Sequence, residues 1–186
     1  MTLASDFLEN GYVVGPVESR FALDDIRKII AKVLTSNDLD NLVGRTPDTL
    51  NDLRLKCIQA LNEDPETRTR YYSLATRALD EIVGNELVMQ KRINLSIQMP
   101  GDDSSLLPLH SDTWAGDSPY EVVLWVPLVD CYDTKAMFIL PPEENARLLP
   151  KMSEYETISA LFLAASNHLK FIPVKYGECM LFNPNT

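Results

Sequence analysis

His110 and Asp112 stand two residues apart within residues 106–130, LLPLHSDTWAGDSPYEVVLWVPLVD, a stretch that also holds both tryptophans of the chain. In an extended strand, side chains two apart share a face, so an imidazole and a carboxylate reach toward one point. That donor pair supplies two ligands of the 2-His-1-carboxylate facial triad, which holds non-haem Fe(II) and leaves coordination positions open. The bland alternative is a histidine and an aspartate that close a strand with ordinary hydrogen bonds. Spacing alone favours the bland alternative, so the surrounding elements decide.

The 186 residues are most simply one domain, 1–186, long enough to bury a full core. The net charge of −10 comes without any basic stripe, which argues against nucleic acid and anionic membrane as partners. The opening MTLASDFLENGYVV has neither a basic nor an apolar signal-peptide region, and no apolar run approaches the length of a membrane span. Cys57, Cys131 and Cys179 show no C-x-x-C spacing and fit reduced thiols in a cytoplasmic protein. They read as small buried hydrophobes, since no histidine adjoins any of them in sequence to make a nucleophilic pair.

The first 84 residues read as mainly helical support. SDFLENGYVVG gives a short lead-in and a strand over residues 12–14, entered through Asn10-Gly11. Leu23, Ile26, Ile29, Ile30, Val33 and Leu34 then recur at helical spacing. Thr46-Pro47 reads as an N-cap with proline at the first helical position, opening a helix to about Leu61. Asp64-Pro65 repeats that signal before one further helix, from Tyr71 to Ile82, which Gly84 ends.

From residue 85 the period shifts to two. RINLSIQM alternates polar and apolar residues until Pro100-Gly101 breaks it. Its polar row is either a solvated sheet face or, in a sheet curled into a barrel, a set lining a cavity; Asn94, Ser96 and Gln98 would then face inward. Further strands are expected over 106–112, 120–129, 135–140, 168–174 and 178–182. Ile158 to Ala165 suits a strand or a short buried helix equally. Helices followed by a run of short strands argue an α+β protein, an antiparallel sandwich or barrel braced by helices.

In this order the pieces resemble the Fe(II)/2-oxoglutarate-dependent oxygenases, particularly the phytanoyl-CoA dioxygenase-like group and a small bacterial subgroup found near surface-carbohydrate genes. FLENGYVVGPVESRFALDDIRKIIAKVL resembles the group's opening strand and helix. LPLHSDTWAGDSPYEVVLWVPLVD resembles its metal-binding strand, the next loop and a strand with an inward tryptophan. KFIPVKYGECMLFNP resembles its penultimate strand pair. The resemblance spans nearly the whole chain and implies a double-stranded β-helix, jelly-roll or cupin-like, over residues 85–186. His110 and Asp112 match the first two iron ligands, and Trp125 matches a tryptophan beside the 2-oxoglutarate site, with Asn94 and Gln98 as further cofactor-facing candidates. Plain core packing is the competing role for Trp125. Trp114 and Asp117, in the loop after the ligands, match the substrate mouth. The implied activity uses Fe(II), 2-oxoglutarate and O2 to hydroxylate a small metabolite such as a sugar or nucleotide-sugar.

The sequence departs from that pattern after Phe182. The distal histidine and the arginine that forks onto 2-oxoglutarate are not found, so the resemblance implies a truncated copy with its last strand missing. Its open edge would then be covered by homo-oligomerisation. YDTKAMFILPPEEN also replaces the group's usual turn. His168 reads as an exposed strand-edge histidine, with a third-ligand role as the sharper alternative. Two rivals remain: a non-catalytic small-molecule-binding barrel, and a metal-independent cupin-type isomerase, for which no acid–base pair is evident.

Overall fold

The computed structural model describes residues 2–42, 46–99 and 108–185, and the elements follow in chain order. They are α1 (Leu3–Asn10), β1 (Tyr12–Pro16), α2 (Arg20–Leu34), α3 (Pro47–Glu63), α4 (Thr67–Tyr72), α5 (Thr76–Ile82), β2 (Val123–Trp125), β3 (Met137–Ile139), α6 (Pro142–Leu148), α7 (Ile158–Ala165), β4 (Lys170–Ile172) and β5 (Glu178–Phe182). The protein is α+β with small antiparallel sheets. No closed barrel is formed among the described residues. Among those residues no helix is long and apolar enough to cross a membrane.

The described chain packs as two compact units. One gathers residues 17–80 and 84–99. Within it α2 packs on α3 and α4 through Leu23, Ile26, Ile30 and Leu34, all buried at the apolar spacing expected. Thr46 caps α3 as its sequence suggests: its hydroxyl accepts from the Thr49 amide, and the Thr49 hydroxyl accepts from the Thr46 amide at 3.0 Å. The helix expected from Tyr71 to Ile82 instead breaks at Ser73–Ala75. Glu18 supplies the reason. Its carboxylate accepts from the backbone amides of Arg77 at 2.8 Å and Ala78 at 3.3 Å, so a second helix start is satisfied from a distant residue.

Residues 92–99 form no helix or strand and join no sheet among the described residues. The Asn62 carboxamide stands in for a neighbouring strand, accepting from the Ile93 amide and donating to the Ile93 carbonyl, both at 2.9 Å. The apolar row is buried or half-buried, whereas Asn94, Ser96 and Gln98 are exposed. The Pro100-Gly101 break lies outside the described residues.

The second unit gathers residues 2–16, 81–83 and 108–185. Its first element, α1, lies where only a lead-in was expected. The Thr2 side chain accepts from the Ser5 amide and Gly11, at φ +80°, returns its amide to the Phe7 carbonyl at 2.8 Å. Asn10-Gly11 is thus a helix end as well as a strand entry. In the sheet β1–β5–β2, all pairs are antiparallel, with Tyr12 and Val123 both opposite Phe182, and Val14 and Trp125 both opposite Met180. The sheet β3–β4 contributes Ile139 and Ile172, which cluster with Met180 and Val174; Tyr12, Val14, Trp125, Met137 and Phe182 pack around them. Two sheets therefore share one core.

Several expected strands are shorter than their apolar runs. Residues 120–129 pair only over Val123–Trp125, and 168–174 only over Lys170–Ile172 plus a bridge between Cys131 and Val174. Residues 108–112 form no strand, and Asp112–Ala115 is a 3-10 helix; residues 106 and 107 of that expected strand lie outside the described ones. Pro142 opens α6, and Ile158–Ala165 is a helix capped by Thr157.

One buried polar atom stands out in the helical unit. Thr67 is 1% exposed and its hydroxyl oxygen has no hydrogen-bond partner among the described residues. An unsatisfied buried hydroxyl costs free energy that an apolar group of similar shape avoids. Thr67→Val should raise the unfolding free energy by about 1 kcal/mol in urea titration; a comparable loss would show that the hydroxyl is bonded after all.

Candidate functional site

His110 and Asp112 come together at the start of the 3-10 helix, with His110 Nε2 3.6 Å from Asp112 Oδ1. The turn, rather than a shared strand face, brings them together. His110 Nδ1 lies 2.7 Å from the Pro108 carbonyl oxygen. A carbonyl only accepts, so Nδ1 carries a proton and the Nε2 edge of the ring is the one turned toward Asp112. That edge and the carboxylate face one point, where either a proton or a metal ion would join them.

The donor chemistry fits a divalent ion as two of its ligands. Bonds of roughly 2.1 Å to each donor span the observed separation, and an Nδ1–H held by a carbonyl is the usual orientation for a ligating imidazole. Both side chains are partly exposed, 48% and 37%, leaving room for water ligands. Among the described residues no group of three or more His, Cys, Asp or Glu is placed to hold a metal. The pair supplies two of the three donors that a facial triad needs.

The remaining expected residues are spread differently. Trp125 lies in the shared core opposite Met180, as plain core packing would have it. Asn94 and Gln98 are exposed and belong to the helical unit. Trp114 is 43% exposed in the same 3-10 turn as Asp112, and the Asp117 amide donates to the Asp112 carbonyl at 3.3 Å. Those two residues do sit in the turn that carries Asp112. His168 ends a 3-10 helix rather than a strand, with Nδ1 3.3 Å from Glu144 Oε2, and Glu144 also accepts from Arg147 at 2.9 Å. This His–carboxylate pair was not readable from spacing because Glu144 comes from the separate helix α6.

Sequence reasoning also passed over Ser111. Its hydroxyl is nearly buried and donates to the Pro184 carbonyl at 2.6 Å. The same C-terminal segment is tied elsewhere: the Asn183 amide donates to the Gly11 carbonyl at 2.9 Å, and the Asn185 side chain donates to the Pro119 carbonyl at 3.3 Å. Asn145 of α6 donates to the Asn185 carbonyl. The available signal was Asn-Pro, a turn former with polar side chains on both sides.

Cys57 and Cys179 are buried, and burial pushes the Cys57 thiol up to about 11, away from the nucleophilic thiolate. Comparison with known protein families, curated proteins and solved structures finds no match to the chain. The site is therefore read from its own geometry.

Near the pair, burial first and then the charges of Asp117 and Asp112 push the Glu121 carboxyl above its ordinary value. The folded chain thus holds this proton more tightly than the unfolded chain does. Its contribution to stability is present in acid and is lost as pH rises through the ordinary carboxylate value and the raised one. Glu121→Gln should therefore melt at a higher temperature than wild type at pH 7. The difference should vanish by about pH 3, where both forms are neutral; a constant difference across that range would locate the effect in packing instead.

Proposed function

We propose that the protein is an Fe(II)- and 2-oxoglutarate-dependent oxygenase of the phytanoyl-CoA dioxygenase-like kind, acting on a small metabolite such as a sugar or nucleotide-sugar in the cytoplasm. The observation that carries the proposal is the His110–Asp112 pair, with Nδ1 held by the Pro108 carbonyl and Nε2 3.6 Å from the Asp112 carboxylate. Two antiparallel sheets sharing one core support it, because a double-stranded β-helix is built from that arrangement.

In this reading His110 Nε2 and Asp112 hold the iron, which when bound supplies activation of O2 for attack on a C–H bond. The Pro108 carbonyl fixes the tautomer and orientation of the His110 ring. Asp112 supplies negative charge that favours a cation over neutral water. Trp114 and Asp117, on the same exposed turn, present an aromatic face and a carboxylate to the hydroxyls of an approaching sugar. The described residues provide two of the triad's three ligands, and the half-buried Trp125 packs against the shared core, so no described residue is assigned to 2-oxoglutarate. These two facts favour the second reading, a barrel of the same fold that binds a small molecule without turning it over.

The deciding experiment is release of succinate from 2-oxoglutarate by the full chain with iron and ascorbate across a panel of sugars and nucleotide-sugars. The oxygenase reading predicts turnover that His110→Ala and Asp112→Ala reduce by at least about 100-fold, the outer range for disturbing a metal site. Ligand binding that is indifferent to both iron and His110→Ala would favour the non-catalytic reading. No succinate above the His110→Ala background with any substrate would overturn the oxygenase proposal.

A further inference from the structure

We infer that Ser111 is a positioning residue for the metal-binding pair, and that it acts by clamping the H-x-D turn to segment 183–185. The inference rests on reading His110 and Asp112 as metal ligands.

Ser111 sits between the two donors, so its backbone decides how they are presented. It is extended, at φ −124° and ψ 136°, and its carbonyl accepts from the Trp114 amide at 2.9 Å, starting the 3-10 turn that carries Asp112. Two partly exposed flanking side chains on a short turn have little packing of their own to hold them. The hydroxyl between them is the anchor. It is nearly buried and its single proton goes to the Pro184 carbonyl at 2.6 Å. Its second contact, 2.8 Å to the Thr113 hydroxyl, therefore has Thr113 as donor.

Pro184 is itself fully buried, so the accepting carbonyl belongs to a fixed piece of backbone. Asn183 and Asn185 brace that piece. Asn183 Oδ1 accepts from both the Asn185 amide and the Asn185 side chain at 2.9 Å, and the Asn185 side chain also reaches the Pro119 carbonyl. The turn is thus gripped behind the ligands at Pro184 and beyond them at Pro119. Alanine at position 111 would leave the Pro184 carbonyl buried without this donor and let the turn relax, separating His110 from Asp112.

The test is a Mn(II) titration of the isotope-labelled full chain, read as paramagnetic broadening of the backbone amide signals of residues 110–113. The inference predicts broadening in wild type, none in His110→Ala, and a midpoint about tenfold higher in Ser111→Ala. Ser111→Thr, which keeps the hydroxyl, should return the midpoint toward wild type, while signals from β1 and β5 keep their positions in every variant. An unchanged midpoint in Ser111→Ala overturns the positioning role and leaves the metal reading intact. A failure of Ser111→Thr to restore binding also overturns it. Absence of broadening in wild type, or its persistence in His110→Ala, overturns the metal reading and this inference together. Should Ser111→Ala not fold, Asn185→Ala, which loosens the same segment from Pro119, carries the test: a raised midpoint supports the clamp and an unchanged one overturns it.

Discussion

Strand β5 is the constraint on which the β-rich unit depends. It pairs on both edges, with β1 and β2, and Cys179, Met180 and Leu181 in its middle are all buried. A strand enclosed on both faces has no polar row, which is why CMLF, after Glu178, reads as an unbroken apolar run. Met180 then carries the contact between the two sheets. The chain leaving β5 supplies backbone partners to Gly11, and to the side chains of Ser111 and Asn145. Core packing and the presentation of the His110–Asp112 turn are consequently anchored by neighbouring residues of one segment.

Much of this order was legible where a local rule governs. The apolar period of α2, the Thr46-Pro47 start of α3, the strand β5 and the Gly177 turn before it all follow from nearby residues, and all are present. Legibility fails where a distant partner decides. Ser73–Ala75 breaks a helical pattern where Glu18 caps the next helix, and at residues 92–99, which join no described sheet, Asn62 takes both the amide and the carbonyl of Ile93. The α1 helix was missed for a different reason: its Asn-Gly end resembles a strand entry, and it serves as both.

The candidate site divides along the same line. Residue type and spacing single out His110 and Asp112, and the side chains do converge, although a 3-10 turn brings them together rather than a strand. Alternation in RINLSIQM cannot tell a solvated row from a cavity lining, and Asn94, Ser96 and Gln98 prove to be the exposed row. Trp125 shows the converse, since an inward aromatic on a strand serves a core as readily as a cofactor. Ser111 was hidden because its acceptor is a backbone carbonyl far away in the sequence, and no residue type announces that.

The pairing of β1 with β5 has a kinetic side. Tyr12 waits for Phe182, and Val14 for Met180, so the central sheet joins the two extremes of the described chain. The closing of so long a loop comes before any of its contacts reward it, which slows folding relative to a helical segment built from neighbours. During synthesis α2, α3 and α4 have their partners early, whereas the apolar faces of β1 and β2 stay uncovered until β5 emerges. In that interval the nascent chain presents Tyr12, Val14 and Trp125 as a surface for chaperones or for misassembly with other copies.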